Sequence, residues 1–100
     1  MTAPYEDITW SQLQALDPAI RRIDVREPDE FTGPLGHLPG AELVPLGTLE
    51  RACAGWPKDA PLVLICRSGG RSAMAARLLH AKGFLRLYNL AGGMMAVRGG

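Results

Sequence analysis

The fold is decided by residues 61–72, which read Pro-Leu-Val-Leu-Ile-Cys-Arg-Ser-Gly-Gly-Arg-Ser. Residues 61–66 form a continuous apolar run, which predicts a strand that is covered on both faces and lies centrally in a parallel sheet. Residues 67–70 are polar and contain two glycines, which predicts a turn. The apolar spacing in residues 71–82 predicts a helix, so the stretch is a strand, a tight loop and a helix.

Short apolar runs and helix-like stretches alternate along the rest of the chain. Thr9 with Gln12 three residues later predicts a capping box at the start of a first helix. The alternation is typical of an α/β domain with a mainly parallel sheet. We predict further strands at residues 20–25, 41–44 and 85–90, helices after Pro28, at 46–54 and after 92–93, and a loop at 32–40.

Length and composition limit the class of protein. The chain has 100 residues, of which 47% are hydrophobic and 21% are charged, so we expect one folded domain over residues 1–100. A formal net charge of +1 argues against a nucleic-acid or membrane surface. The start of the chain lacks the basic and apolar regions of a secretory signal, so we expect a cytoplasmic protein.

The candidate functional residue is Cys66, where the predicted central strand meets the loop. In open α/β sheets, ligands bind beyond the carboxyl ends of the strands. Glycines let successive N–H groups point inward, the next helix adds its N-terminal dipole, and Arg67 and Arg71 add two full charges. Such surroundings lower the pKa of a thiol, so we expect Cys66 to be a thiolate nucleophile. The residues expected to hold an anionic substrate are Arg67, Ser68, Gly69, Gly70, Arg71 and Ser72.

This loop and three further motifs resemble the rhodanese family over nearly the whole chain. Residues 23–27 with Phe31 resemble the second strand of that family and its following turn. Residues 36–41, Gly-His-Leu-Pro-Gly-Ala, resemble its Gly-His-Ile-Pro-Gly-Ala pattern, and residues 90–93 resemble its C-terminal segment. Members commonly have a tryptophan after the Gly-Gly pair, whereas residues 94–97 here contain none, which bears on the packing of the C-terminus.

The resemblance implies a rhodanese-like three-layer sandwich, with a five-stranded, mainly parallel sheet and helices on both faces. It implies a thiosulfate sulfurtransferase in which Cys66 takes sulfur from a small anionic donor as a persulfide. The acceptor would be cyanide or a thiol, including a protein thiol, and no metal or organic cofactor is implied. Asp24 and Arg26 resemble the Asp-x-Arg element of the family, for which we expect a supporting ion pair at the strand end.

Three alternatives stay open at this point. Phosphatases and arsenate reductases on a related fold also use a cysteine followed by a loop and an arginine. Tyrosine phosphatases place five residues between the two, whereas four separate Cys66 from Arg71. A binding, sulfur-carrier or regulatory module without turnover is a second alternative, which the presence of Cys66 disfavours. The third is redox chemistry in which Cys53 resolves an oxidised Cys66, although we expect Cys53 to pack on the buried face of its helix.

Overall fold

Short strands alternate with helices along the chain. The computed structural model describes residues 3–99. Its strands are β1 (Glu6–Ile8), β2 (Arg21–Asp24), β3 (Glu42–Leu43), β4 (Leu62–Ile65) and β5 (Leu87–Leu90). Its α-helices are α1 (Trp10–Ala15), α2 (Pro28–Phe31), α3 (Leu49–Ala52), α4 (Gly70–Ala81) and α5 (Gly93–Val97), and short 3-10 helices at Leu46–Thr48 and Cys53–Gly55 flank α3.

The five strands form one sheet in the order β1–β5–β4–β2–β3, and every pair of neighbours is parallel. The predicted central position of β4 is therefore confirmed. Because all strands run the same way, their carboxyl ends meet at one edge of the sheet. Cys66 follows β4 at that edge, beside the ends of β2 and β5.

Apolar side chains of β4 point alternately to two core layers. Leu62 and Leu64 pack in one cluster with residues of α3 and α4, whereas Val63 and Ile65 pack in a second cluster with residues of α1 and α5. The sheet is thus covered by helices on both faces, as the resemblance implied. No helix among residues 3–99 is both long enough and apolar enough to cross a bilayer.

Local hydrogen bonds explain where the first helices begin. The Thr9 hydroxyl accepts from the backbone N–H of Gln12 at 3.1 Å, and the Gln12 side chain accepts from the N–H of Thr9 at 2.8 Å. This is the predicted capping box. Pro28 occupies the first turn of α2, where its missing N–H costs no hydrogen bond.

Four elements differ most from the sequence predictions, while the bounds of β2 and α4 differ by one residue at each end. The sequence pattern did not predict β1. Only Ile8 of its three residues is buried, so this strand carries no periodic apolar signal. β3 has two residues instead of four, and β5 begins at Leu87 instead of Leu85, which is exposed. Residues 46–54 form a short α-helix between 3-10 turns rather than one helix, and Gly47 lowers the helical propensity of this segment.

Candidate active site

Cys66 is the first residue after β4, and its sulfur lies inside the loop that leads into α4. The backbone N–H of Gly69 donates to Cys66 Sγ at 3.0 Å, and Ser72 Oγ lies 3.2 Å from the same sulfur. Gly69 has φ +104°, a left-handed conformation that a side chain would strain, and this conformation turns the loop into the first residue of α4. The loop therefore wraps the sulfur with hydrogen-bond donors, and the Cys66 side chain is only 1% exposed.

Two opposing effects set the acidity of the Cys66 thiol. Burial raises its pKa, whereas hydrogen bonds from the Ser72 hydroxyl and from the backbone N–H groups of Ser72, Gly69 and Ser68 lower it. The hydrogen bonds prevail, so the pKa of Cys66 lies below its ordinary value. The loop can therefore stabilise negative charge on a sulfur atom.

The arginines contribute differently from the sequence expectation. The two terminal guanidinium nitrogens of Arg71 donate to the carboxylate of Glu30, each at 2.7 Å, so this two-pronged contact is made to Glu30 and not to a group bound at the sulfur. The hydrogen bond to Glu30 raises the pKa of Arg71, burial opposes this, and the negative charges of Glu30 and Cys66 add smaller increases. Arg71 is thus within electrostatic reach of Cys66, but its charge is shared with Glu30.

Arg67 is exposed beside an open pocket next to the loop. The pocket has a volume of about 240 Å³ and is lined by Arg26, Glu30, Pro34, Leu35 and Arg67. Ser68 and Gly70 are also exposed, whereas Ser72 is buried. A larger open pocket, of about 360 Å³, is lined by residues 3–6 and 85–88 at the amino ends of β1 and β5, at the opposite edge of the sheet from Cys66.

Asp24 and Arg26 form a buried ion pair at the end of β2. Arg26 Nε donates to Asp24 Oδ1 at 2.9 Å and Nη2 donates to Oδ2 at 2.8 Å, and the two side chains are 1% and 0% exposed. The remaining donors of Arg26 reach the carbonyl oxygens of Glu30, at 3.1 Å, and Gly36, at 2.7 Å. The pair therefore ties the end of α2 and the loop after it to the sheet, which places Glu30 opposite Arg71.

A buried polar chain behind Cys66 was not singled out from the sequence. Asn89 of β5 is 4% exposed and accepts a short hydrogen bond from the Ser72 hydroxyl. Its Nδ2 donates to Asp7 Oδ1 at 2.9 Å and to the Gly69 carbonyl at 3.3 Å. The signal in the sequence was Asn89 itself, a polar residue inside a largely apolar strand. A buried amide needs hydrogen-bond partners, so such a residue points to a buried polar contact.

The C-terminal segment packs directly under the cysteine loop. The N–H groups of Met94 and Met95 donate to the carbonyls of Cys66 and Arg67 at 2.9 and 3.0 Å. A Cβ on Gly93 would lie 2.4 Å from the Cys66 carbonyl oxygen, so only glycine allows this approach. Met94 is fully buried in the core. The segment therefore docks without the tryptophan that the sequence lacks.

Cys53 and His37 have contacts of their own outside the loop. Cys53 is buried, and its thiol donates to the Glu50 carbonyl at 3.4 Å, in keeping with the expected packing.

His37 stacks on Phe31 with ring centroids 3.7 Å apart, and its Nδ1 is 2.9 Å from the Phe31 carbonyl. His37 thus shapes the loop after α2.

Comparison with known proteins identifies the family. The family model for the rhodanese-like domain matches residues 9–99. The chain belongs to the rhodanese-like family. It is 44% identical over 71 residues to the uncharacterized protein YqhL of Bacillus subtilis, an alignment that covers 71% of this chain and 55% of YqhL. The chain thus spans about half the length of that relative.

Two proteins that are named sulfurtransferases match over most of both chains. The thiosulfate sulfurtransferase GlpE of Pseudomonas aeruginosa is 30% identical, with 93% of this chain and 84% of GlpE covered. The solved structure of the human single-domain sulfurtransferase TSTD1 has a TM-score of 0.77 and 27% identity, with 92% of each chain covered. The family match over residues 9–99, together with the five-stranded parallel sheet, confirms the rhodanese-like fold that the sequence motifs predicted.

Proposed function

We propose that this chain is a sulfurtransferase that carries sulfur as a persulfide on Cys66. The observation that carries the proposal is the set of donors around Cys66 Sγ, with the Gly69 N–H at 3.0 Å and the pKa of the thiol lowered. A thiolate is the nucleophilic form of cysteine. The sulfurtransferase names of GlpE and TSTD1 support the same class of reaction.

The proposed first step uses a small anionic donor such as thiosulfate. The Cys66 thiolate attacks the outer sulfur, a new S–S bond forms, and the S–S bond of the donor breaks as sulfite leaves with the electron pair. The charge then lies on the terminal sulfur of the persulfide. The exposed N–H groups at the start of α4 and the side chains of Arg67 and Ser68 would attract the anion toward the loop.

The proposed second step returns Cys66 to its first state. A thiolate acceptor, or cyanide, attacks the terminal sulfur, the S–S bond to Cys66 breaks, and Cys66 leaves as a thiolate. The products are a new persulfide or thiocyanate. Each step is a nucleophilic displacement at sulfur, so the reaction follows ping-pong kinetics and needs no net oxidation.

Intact mass spectrometry after incubation with thiosulfate tests the proposal. We expect a gain of about 32 Da, the mass of the sulfur atom transferred in the covalent step. Cyanide should remove the gain, and Cys66→Ser should prevent it. Cys53→Ser is the matched control, since it removes the other cysteine without touching the loop, and it should gain the same mass. No gain in the wild-type protein would overturn the proposal.

A steady-state assay separates turnover from the role of a sulfur carrier. Cys66 is 1% exposed, so the donor and the acceptor must each gain access to its sulfur, and a carrier results if one of the two gains it too slowly for turnover. An enzyme should form many equivalents of thiocyanate from thiosulfate and cyanide, whereas a carrier that thiosulfate does not reload at a useful rate should form about one. A parallel phosphatase assay should show no activity, because the donors of Arg71 are engaged by Glu30.

A further inference from the structure

The orientation of the Asn89 side-chain amide is fixed by its neighbours. Its Nδ2 contacts a carboxylate oxygen of Asp7 at 2.9 Å and the carbonyl oxygen of Gly69 at 3.3 Å. Both oxygens accept hydrogen bonds and neither donates one when the carboxylate is ionised, so the amino group must face them. The amide oxygen Oδ1 therefore faces Ser72 Oγ.

The single hydroxyl hydrogen of Ser72 has two competing acceptors. Asn89 Oδ1 can only accept, so the contact between these two oxygens requires Ser72 to donate. Ser72 Oγ then presents lone pairs to Cys66 Sγ, 3.2 Å away. A thiol can donate its hydrogen to that oxygen, whereas a thiolate cannot receive one from it in this orientation.

We propose that Asn89 is a positioning residue that directs the hydroxyl hydrogen of Ser72 away from Cys66 Sγ. Ser72 can help a thiolate only by rotating its hydroxyl toward the sulfur. That rotation leaves Asn89 Oδ1 without its donor at a site that is 4% exposed, which costs free energy. The lowering of the Cys66 pKa by the Ser72 hydroxyl therefore applies only to the rotated hydroxyl. Before that rotation, charge on Cys66 is held by backbone N–H groups, with Gly69 the nearest.

This arrangement matters for sulfur transfer, and to that extent it rests on the proposed function. In the Cys66 persulfide the negative charge lies on the terminal sulfur, and the inner sulfur needs less help from Ser72. The hydroxyl can then stay on Asn89. Asn89 thus disfavours the Cys66 thiolate relative to the Cys66 persulfide. This difference favours the uptake of sulfur from the donor.

Among the described residues, no charged side chain is hydrogen-bonded to Cys66 Sγ. Arg71 of α4 is paired with Glu30 of α2, and Asp7 of β1 reaches the site only through the Asn89 amide. The test must therefore change the hydroxyl and its acceptor while these groups remain. A double-mutant cycle of Ser72→Ala and Asn89→Ala does this, because its coupling term isolates the pair.

The measured quantity is the rate of alkylation of Cys66 by iodoacetamide, at a pH one unit below the midpoint of the wild-type profile. All variants carry Cys53→Ser, so that one thiol reacts. Asn89→Ala should react about tenfold faster, because the hydroxyl is free to donate to the thiolate, a charge-assisted hydrogen bond. Ser72→Ala should slow the otherwise wild-type protein much less than it slows the Asn89→Ala protein, for which we expect a loss of about tenfold.

The proposal is overturned if Ser72→Ala slows alkylation equally in both backgrounds, or if Asn89→Ala reacts no faster. Asn89→Leu keeps the branched shape of the side chain and removes the amide oxygen and amino group, so it should repeat the sign of Asn89→Ala if the smaller variant folds poorly. A purely structural role for Asn89 predicts no dependence of the Ser72 effect on residue 89. Because alkylation needs no sulfur donor, its result stands apart from the mass gain with thiosulfate.

Discussion

Glu30 and Arg71 form a two-pronged ion pair beside the cysteine loop, with each of the two terminal guanidinium nitrogens 2.7 Å from a different carboxylate oxygen. Glu30 comes from α2 and Arg71 from the first turn of α4. The carboxylate of Glu30 thus partly neutralises the charge of Arg71, which the sequence analysis expected to act on a bound substrate. The reactivity of Cys66 therefore depends mainly on hydrogen bonds within its own loop, whereas Arg71 links that loop to α2.

Glu30→Gln should strengthen the attraction of the site for anions. In the wild type the backbone N–H of Glu27 donates to the Glu30 carboxylate at 3.0 Å, and the amide of Gln keeps an oxygen for this bond. The amide is uncharged, however, so it no longer neutralises Arg71. We expect the ratio of alkylation rates of Cys66 with iodoacetate and with iodoacetamide to rise about two- to fivefold, the range for one partly exposed charge. Glu42→Gln, on a separate pair with Arg21, is the control. An unchanged ratio for Glu30→Gln would mean that Arg71 does not act on bound anions.

The same ion pair predicts how stability changes in acid. The hydrogen bond from Arg71 lowers the pKa of Glu30 to about 2, burial opposes it, and the Glu27 N–H and the charges of Arg71 and Arg26 lower it further. The folded value lies below the ordinary 4.5, so this stabilisation is complete above about pH 4.5 and is lost as the pH falls toward 2. Urea unfolding should show that the stability difference between wild type and Glu30→Gln shrinks over that range. A difference that does not depend on pH would contradict the assignment.

Local patterns predicted the parts of the molecule that are held by local interactions. The capping box at Thr9 and the central strand before Cys66 could be identified because their hydrogen bonds and apolar runs lie within a few residues of sequence. Glu30 and Arg71 are 41 residues apart, and Asp7 and Asn89 are 82 residues apart, so these contacts depend on how the strands pair. β1 illustrates the same limit, since it is a strand mainly because it pairs with β5.

Asp24→Asn should destabilise the fold far more than a change in an exposed pair. It leaves the guanidinium of Arg26 buried without a compensating charge, for which the usual cost is about 3–5 kcal/mol. Glu42→Gln removes the carboxylate of the exposed Arg21–Glu42 pair, for which about 0–1 kcal/mol is typical. The free energy of unfolding in urea measures both. Similar losses in the two variants would show that the Asp24–Arg26 pair does not brace the edge of the sheet where Cys66 lies.

Gly93→Ala should disturb the cysteine loop through the backbone alone. A Cβ there would lie 2.4 Å from the carbonyl oxygen of Cys66 and 2.5 Å from that of Arg67, so the loop and α5 must separate. Gly40→Ala is the matched control, because Gly40 also has a positive φ but has no atom within 4 Å of the added carbon. The control should show only the conformational cost, about 1–2 kcal/mol.

For Gly93→Ala we expect a larger loss of stability in urea than for Gly40→Ala, together with a changed alkylation rate of Cys66. The second effect follows because the Met94 N–H donates to the Cys66 carbonyl, and the separation would weaken that bond. Gly40→Ala should leave the alkylation rate as it is in the wild type. If both glycine variants lose the same stability and Cys66 reacts alike in both, then the close approach of α5 does not hold the loop in shape.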